Sequence, residues 1–428
     1  MINEREIVLE ALLLYDKGDE YGDKVLFEVL SKYAYLQKHE RGFINRLFDG
    51  VIERRITLDY IINQFSSVKV NKQKPVIRTV LRMATYQIFY MDQVPDSAAV
   101  NEAVKLAKKK KFSNLTGFIN GVLRSISKNK SQITFPDKSK DEISYLSINY
   151  SCPEWLCRHY VDEVSFDAAE RLLKASLDKS KLYGRVNLSK ISRDELLKKL
   201  EKSGVEAKAN ERFKAAIEID CVDNLLNIDE FNDGLFVIQD LSSQLVVGET
   251  NIKENAYVVD VCASPGGKTL HALDEGAKVL ARDVSEIKIK RIEENIEKCG
   301  FTKGSVEVKN ALDADENLFE KADIVIADLP CSGLGVIGRK CDIKYRVREE
   351  DLISLQKLQR DILSVVYRYV KIGGILVFST CTIDRFENEQ NVQWILDNLP
   401  FEKMGDTTRL IQGTDATDGF FISRFIRK

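Results

Sequence analysis

The chain lacks a long hydrophobic run, an excess of either charge and a cysteine framework, and each absence removes a class of protein. No stretch of eighteen apolar residues occurs in its 428 positions, so a transmembrane helix is not expected. The segment Met1-Ile2-Asn3-Glu4-Arg5-Glu6 is charged and has none of the apolar core of a secretory signal. The eight cysteines show no paired spacing and are expected to be free thiols of a cytoplasmic protein. Cys152, Cys157 and His159 are close in sequence, but no second Cys/His pair stands at ligand spacing, so no metal is expected. No internal repeat or low-complexity tract stands out. A net charge of −2 argues against a uniformly basic nucleic-acid binder. Locally the balance changes: residues 101–140 hold ten Lys/Arg against two Asp/Glu, including Lys108 to Lys111. Either this is a solvated helix face or it is an electrostatic footprint for phosphates.

What is present divides the chain into segments of different period. Over 1–130 apolar residues recur at helical spacing, as in Phe43, Ile44, Leu47, Phe48 and Val51, and again in Ile77, Val80, Leu81, Ala84 and Ile88. Glycine and proline are sparse there, which predicts an all-helical bundle. Residues 131–140 are polar and lysine-rich and predict a linker. Residues 141–235 mix helix and strand signals and predict a small α+β module. Its Ser192-Arg193-Asp194-Glu195 has the pattern of a capping box. Residues 236–428 alternate strand and helix, with strands expected at 257–261, 278–282, 305–308, 322–327 and 375–380. This predicts a Rossmann-like, doubly wound α/β domain with helices on both faces.

Two cysteines carry the chemical signal. Cys331 stands in Asp328-Leu329-Pro330-Cys331-Ser332-Gly333, after Ile324-Val325-Ile326. Cys381 stands in Ser379-Thr380-Cys381-Thr382, after Ile375-Leu376-Val377-Phe378. Both are therefore expected at the carboxyl ends of buried parallel strands, where open α/β sheets place their chemistry. Thiols there suit nucleophilic catalysis, although buried core cysteines are also common.

The strand at 257–261 leads into Cys262-Ala263-Ser264-Pro265-Gly266-Gly267-Lys268-Thr269. A phosphate-binding loop needs glycine where Cys262 stands, and a dinucleotide fingerprint needs a Gly-x-Gly-x-x-Gly that is absent. A loop for S-adenosyl-L-methionine fits best. Asp283, ending the second strand, then offers a carboxylate for both ribose hydroxyls.

Taken together these motifs resemble the RsmB/NOP family of RNA cytosine-5 methyltransferases. Gly42-Phe43-Ile44-Asn45, Asp96 to Val104 and Gly117 to Arg124 resemble the NusB helical domain, which binds RNA in that family. The resemblance covers nearly the whole chain. It implies methylation of cytosine C5 in 16S ribosomal RNA through a covalent cysteine adduct, with 16S RNA, free or in an assembling small subunit, as partner. Cys381 is then the nucleophile, Cys331 serves product release, Asp328 contacts the cytosine edge, and Lys268 assists or orients the loop. The family's aspartate after the third strand, a contact to adenine, is replaced by Asn310, with Asp313 as the other candidate. Amino-methylating enzymes carry Pro-Pro-aromatic where Pro330-Cys331-Ser332 stands, which favours attack at ring carbon. The basic stretch 101–140, Arg185 and Asn187 are expected RNA surfaces. Transfer RNA or another RNA remains an alternative substrate, and a non-catalytic RNA-binding or assembly factor an alternative role. A monomer away from membranes is expected.

Overall fold

The computed structural model describes residues 3–33, 35–178, 181–211, 213–220 and 225–428. It divides into two units, Met1–Leu177 with Lys340–Val347, and Asp178–Arg339 with Arg348–Lys428. Among the described residues no helix is long and apolar enough to cross a membrane.

The first unit is helical. Helices Glu4–Tyr15, Lys38–Glu53, Arg55–Phe65, Pro75–Tyr90, Asp96–Lys109 and Thr116–Lys128 turn their apolar stripes onto one core. Leu9, Phe48, Leu81 and Leu123 are fully buried there. Each such side chain contributes about 1.5–3 kcal/mol by leaving water. The expected boundary at residue 141 and the division at Leu177 differ. The polar run before 141 reads as a linker, yet Asp141 caps a helix, Glu142–Tyr150, that stays with the first unit. Thr57 Oγ1 donates to the Ile148 carbonyl at 2.6 Å, fixing that helix to the bundle. Residues 340–347 also belong to this unit, although they lie far along the sequence. Asp342 accepts from the Gly22 N–H (2.6 Å), Lys344 donates to the Glu53 carbonyl (2.9 Å) and Tyr345 to the Ser151 carbonyl (2.9 Å).

The second unit opens with a four-stranded antiparallel sheet, order β2-β3-β1-β4, from β1 (Leu182–Val186), β2 (Ala207–Ala209), β3 (Ala216–Ile219) and β4 (Phe236–Ile238). The Ser192–Glu195 capping box forms and starts the helix Arg193–Lys202, whose Leu196 and Leu200 pack onto this sheet. The strands that follow are β5 (Tyr257–Asp260), β6 (Lys278–Asp283), β7 (Gly304–Val308), β8 (Ala322–Asp328), β9 (Val370–Thr380), β10 (Phe401–Lys403), β11 (Thr408–Leu410) and β12 (Phe420–Arg427).

They form the large sheet in the order β10-β12-β9-β8-β5-β6-β7, with β11 on β12. The pairs β5·β6, β6·β7, β5·β8 and β8·β9 are parallel, and β12 pairs antiparallel with β9. Alternating residues enter different layers. Val258, Ile324, Ile326 and Val377 join Leu270 and Ile292 from helices on one face. Val259, Val325, Leu376 and Phe378 join Leu363 and Ile395 on the other. This is the two-sided α/β architecture expected from the sequence. Strand order reverses at β5, between β6 and β8, and such a reversal opens a crevice at the carboxyl ends of the strands.

Candidate active site

All the chemistry-bearing residues picked out in the sequence lie near the carboxyl ends of β5 to β9. β8 ends at Asp328, three residues before Cys331, and β9 at Thr380, directly before Cys381. The register pairs Asp328 with Ser379, which brings the two turns side by side. The Cys331 and Cys381 sulfurs are 3.3 Å apart. That contact, together with burial and the charges of Glu387 and Asp328, holds the Cys331 thiol well above the usual cysteine range, so Cys331 is a protonated thiol at neutral pH.

Asp328 is held from two sides. Ser379 Oγ donates to Oδ1 at 2.8 Å and Lys268 Nζ to Oδ2 at 2.6 Å. Burial by itself would lower the Lys268 ammonium, but its pairing with Asp328 outweighs this and the net shift is upward. Lys268 therefore stays charged. It also donates to Ser243 Oγ (3.2 Å) and lies 5.5 Å from the centre of the Phe420 ring.

The loop after β5 is shaped for close approach. Gly266 has φ of +104°, a conformation that disfavours a side chain, and the helix Gly267–Asp274 starts directly after it. Cys262 is pushed up to about 12 by burial, reinforced by Asp260 and Asp283, so it is an inert thiol. Asp283 is buried and accepts from the Ser264 N–H (3.2 Å), the Val284 N–H (2.8 Å) and Lys288 Nζ (3.1 Å). Asn310 and Asp313 follow β7, and both are exposed. Asn310 Oδ1 accepts from the Leu312 N–H at 3.1 Å.

Several contacts at the site were invisible in the sequence. Gly335 N–H donates to the Cys381 carbonyl (3.0 Å) and Gly419 N–H to the Gly335 carbonyl (2.8 Å). A Cβ on Gly335 would lie 2.2 Å from the Gly419 oxygen, so only glycine permits this approach. Arg339 closes the same loop by donating to Asp240 (2.7 Å) and to Asp418. Glu387 and Gln359 are fully buried behind the cysteines. Both sit in polar runs that read as solvated loop or helix face, so no sequence signal marked them.

Two expected RNA contacts are corrected. Arg185 is 1% exposed and is spent on Asp274 (2.6 Å) and Gln239 (3.0 Å). Asn187 is equally buried and donates to the Gly234 and Cys299 carbonyls. β1 is buried on both faces from Tyr183 to Val186, so Arg185 on it and Asn187 directly after it both turn inward. The lysine run is divided as well: Lys109 binds Glu6 and Lys110 binds Glu6 and Glu10, whereas Lys108 and Lys111 are exposed without an ion-pair partner among the described residues.

Comparison with known proteins gives three family matches. The 16S rRNA methyltransferase RsmB/F model covers residues 249–426, the NusB family 2–128, and the ferredoxin-like domain of RsmF/B-like methyltransferases 152–222. A probable ribosomal RNA small subunit methyltransferase B of Bacillus subtilis is 34% identical over 92% of this chain and 88% of its own length. The chain belongs to the 16S rRNA methyltransferase RsmB/F family. A relative of the same description from Synechocystis is 30% identical over 99% of both chains. The crystal structure of PH0851 superposes with a TM-score of 0.82 at 25% identity, covering 100% of this chain and 99% of that one. NSun6 from Pyrococcus horikoshii, solved with SFG, shares the fold at a TM-score of 0.58 and 20% identity, covering 64% of this chain and 98% of its own.

As an RsmB/F-family protein the chain is an S-adenosyl-L-methionine-dependent RNA methyltransferase. Its donor set fits that cofactor. A backbone cradle of small residues, Cys262 to Gly267, lies beside a buried carboxylate, Asp283, at the next strand end. A carboxylate has about four lone-pair directions, so three hydrogen bonds from protein leave Asp283 room for a ligand hydroxyl.

Proposed function

We propose that the chain methylates C5 of a cytosine in 16S ribosomal RNA, with Cys381 as nucleophile and Cys331 in product release. The observation that carries this reading is the 3.3 Å pairing of two thiols beside the Lys268–Asp328 pair. The loop Cys262–Lys268, Asp283 and Asn310 or Asp313 would hold the cofactor, which supplies an electrophilic methyl group when bound.

Cytosine C5 is a weak nucleophile. Addition of the Cys381 thiolate at C6 forms an S–C6 bond and moves the C5=C6 electron pair onto C5, which can then take the methyl group. Asp328, oriented by Ser379 and Lys268, hydrogen-bonds the cytosine edge and favours charge build-up on the ring. Loss of the C5 proton to a base restores C5=C6 and breaks the S–C6 bond. Cys331, a thiol held protonated next to the departing sulfur, donates a hydrogen bond to the emerging thiolate. The base has to leave its stack to reach these thiols, and exposed lysines such as Lys108 and Lys111 contribute sequence-independent phosphate contacts.

The test is transfer of labelled methyl to unmodified 16S RNA, with the product mapped by bisulfite sequencing. Cys381→Ala should lose transfer and form no protein–RNA adduct on denaturing gels. Cys331→Ala should accumulate adduct. The reverse pattern exchanges the two roles. Binding of cofactor without transfer to 16S RNA moves the substrate to another RNA.

A further inference from the structure

The two cysteines sit on separate turns, and a buried polar network joins those turns. Glu387 lies six residues beyond Cys381 and is completely buried. Its two carboxylate oxygens accept from the Ser332 N–H at 3.0 and 3.3 Å. Gln359, also completely buried, donates to Glu387 at 2.8 Å and to the Pro330 carbonyl at 2.9 Å. The residues on either side of Cys331 are thus gripped from behind, one through its N–H and one through its carbonyl. Asn391 locks the grip by donating to Gln359 Oε1 (2.7 Å) and to the Glu387 carbonyl (3.0 Å). The Cys381 turn is tied into the same region. Ser332 Oγ donates to Thr382 Oγ1 (2.9 Å), and Asn388 accepts from Thr380 and donates to the Thr382 carbonyl (3.0 Å).

A carboxylate buried without a cation hydrogen-bonded to it is expensive, and burial raises the Glu387 carboxyl above its ordinary range despite its hydrogen bonds. An apolar side chain would fill this site at lower cost, but it could not hold a peptide N–H in place. We propose that Glu387 is the positioning residue for Cys331: with Gln359 it clamps Pro330–Ser332 so that the second thiol stays within reach of the Cys381 sulfur during release of the methylated base. The proposal rests on the division of roles between the cysteines given above. It places Glu387 behind the reacting atoms, touching neither RNA nor cofactor.

The test compares wild type, Glu387→Gln, Gln359→Ala, Cys331→Ala and Cys381→Ala on 16S RNA. It measures the single-turnover methyl burst, steady-state turnover and the fraction of protein trapped as RNA adduct. One Glu387 oxygen accepts from both Ser332 and Gln359 and the other from Ser332 alone. Glu387→Gln replaces one of the two acceptors by an NH2 and removes the charge, so it loosens the clamp at Ser332 without opening a cavity. Misplacement of a reacting group by about 1 Å can cost on the order of 100-fold. The expected result is a normal burst, steady-state turnover reduced about 10- to 100-fold, and adduct accumulation approaching that of Cys331→Ala. Gln359→Ala should shift the same three quantities in the same direction. Wild-type turnover without adduct in Glu387→Gln overturns the proposal, as does a loss of burst and turnover together. Should Cys331→Ala itself release product normally, the assignment of the cysteines fails, which is a separate outcome from a silent Glu387→Gln.

Discussion

The Cys331 and Cys381 sulfurs stand 3.3 Å apart without being bonded. A disulfide needs about 2.05 Å, so a displacement of roughly 1.3 Å would join them. Diamide, which takes up the two thiol hydrogens as it is reduced to the hydrazine, should therefore crosslink this pair before the buried Cys152, Cys157 and Cys299. The expected outcome is a loss of two mass units in a peptide pair containing residues 331 and 381, loss of methyl transfer, and recovery with dithiothreitol. The reaction should quicken with rising pH, because the Cys331 thiol is held above its usual range and the thiolate is the reactive form. Inactivation with both thiols still free would sink this prediction.

Asp260 ends β5 fully buried, and burial pushes its carboxyl up to about 7, against the hydrogen bond from Thr269 and the charge of Lys268. Between about pH 4 and 7 the native state then keeps a proton that the unfolded chain has released, so this group's contribution to stability falls as pH rises through that window. A shift of this size corresponds to a few kcal/mol, on the order of 1.4 kcal/mol per pH unit. Asp260→Asn cannot ionise and should escape the loss. Its melting temperature relative to wild type is expected to rise from pH 4 to 7 and then level off. Parallel stability curves would show that Asp260 does not titrate in this range.

The extent to which the sequence disclosed this molecule follows from the range over which each signal acts. The central strands β5 and β8 are short β-branched runs buried on both faces, so they announce themselves locally. The Cys262–Lys268 loop, Asp328, Cys331 and Cys381 were legible because strand ends in a parallel sheet converge by topology alone. β10, β11 and β12 were not foreseen: β10 and β11 are three residues each, and β12 is antiparallel at the far side of the sheet. Glu387, Gln359 and the Arg339–Asp240–Asp418 contacts join residues 28 to 99 positions apart, and no periodicity encodes such pairings. The segment 340–347 is the extreme case, with Asp342 bonded to Gly22 across 320 residues.

Arg185 offers a direct check of one such inward-facing residue. It forms a buried pair with Asp274 at 2.6 Å, where its own and its partner's side chains are 1% and 5% exposed. Removing one member of a buried pair typically costs about 3–5 kcal/mol, because the remaining charge is left uncompensated. Arg185→Ala should lower chemical-denaturation stability by roughly this amount, moderated by the bonds Asp274 keeps with Ser189 and the Leu188 N–H. RNA affinity of the folded fraction, and its salt dependence, should be unchanged. A reduced salt slope would restore Arg185 as a phosphate contact.

The lysine run makes the complementary prediction. Lys109 and Lys110 are paired with Glu6 and Glu10 on the first helix, so their charge is already compensated. Lys108 and Lys111 are exposed, and no ion pair engages them among the described residues. Each phosphate contact adds about 0.7 to 0.9 to the slope of log affinity against log salt. Lys108→Gln with Lys111→Gln should therefore flatten that slope by roughly 1.4 to 1.8 if both meet RNA, with the melting temperature unaffected. The Lys109→Gln, Lys110→Gln pair should do the opposite, lowering the melting temperature by freeing Glu6 and Glu10 while moving the slope little. Binding titrations at several salt concentrations separate the two. Equal slopes for both double variants would mean that ion pairing within the bundle does not decide which lysines reach RNA.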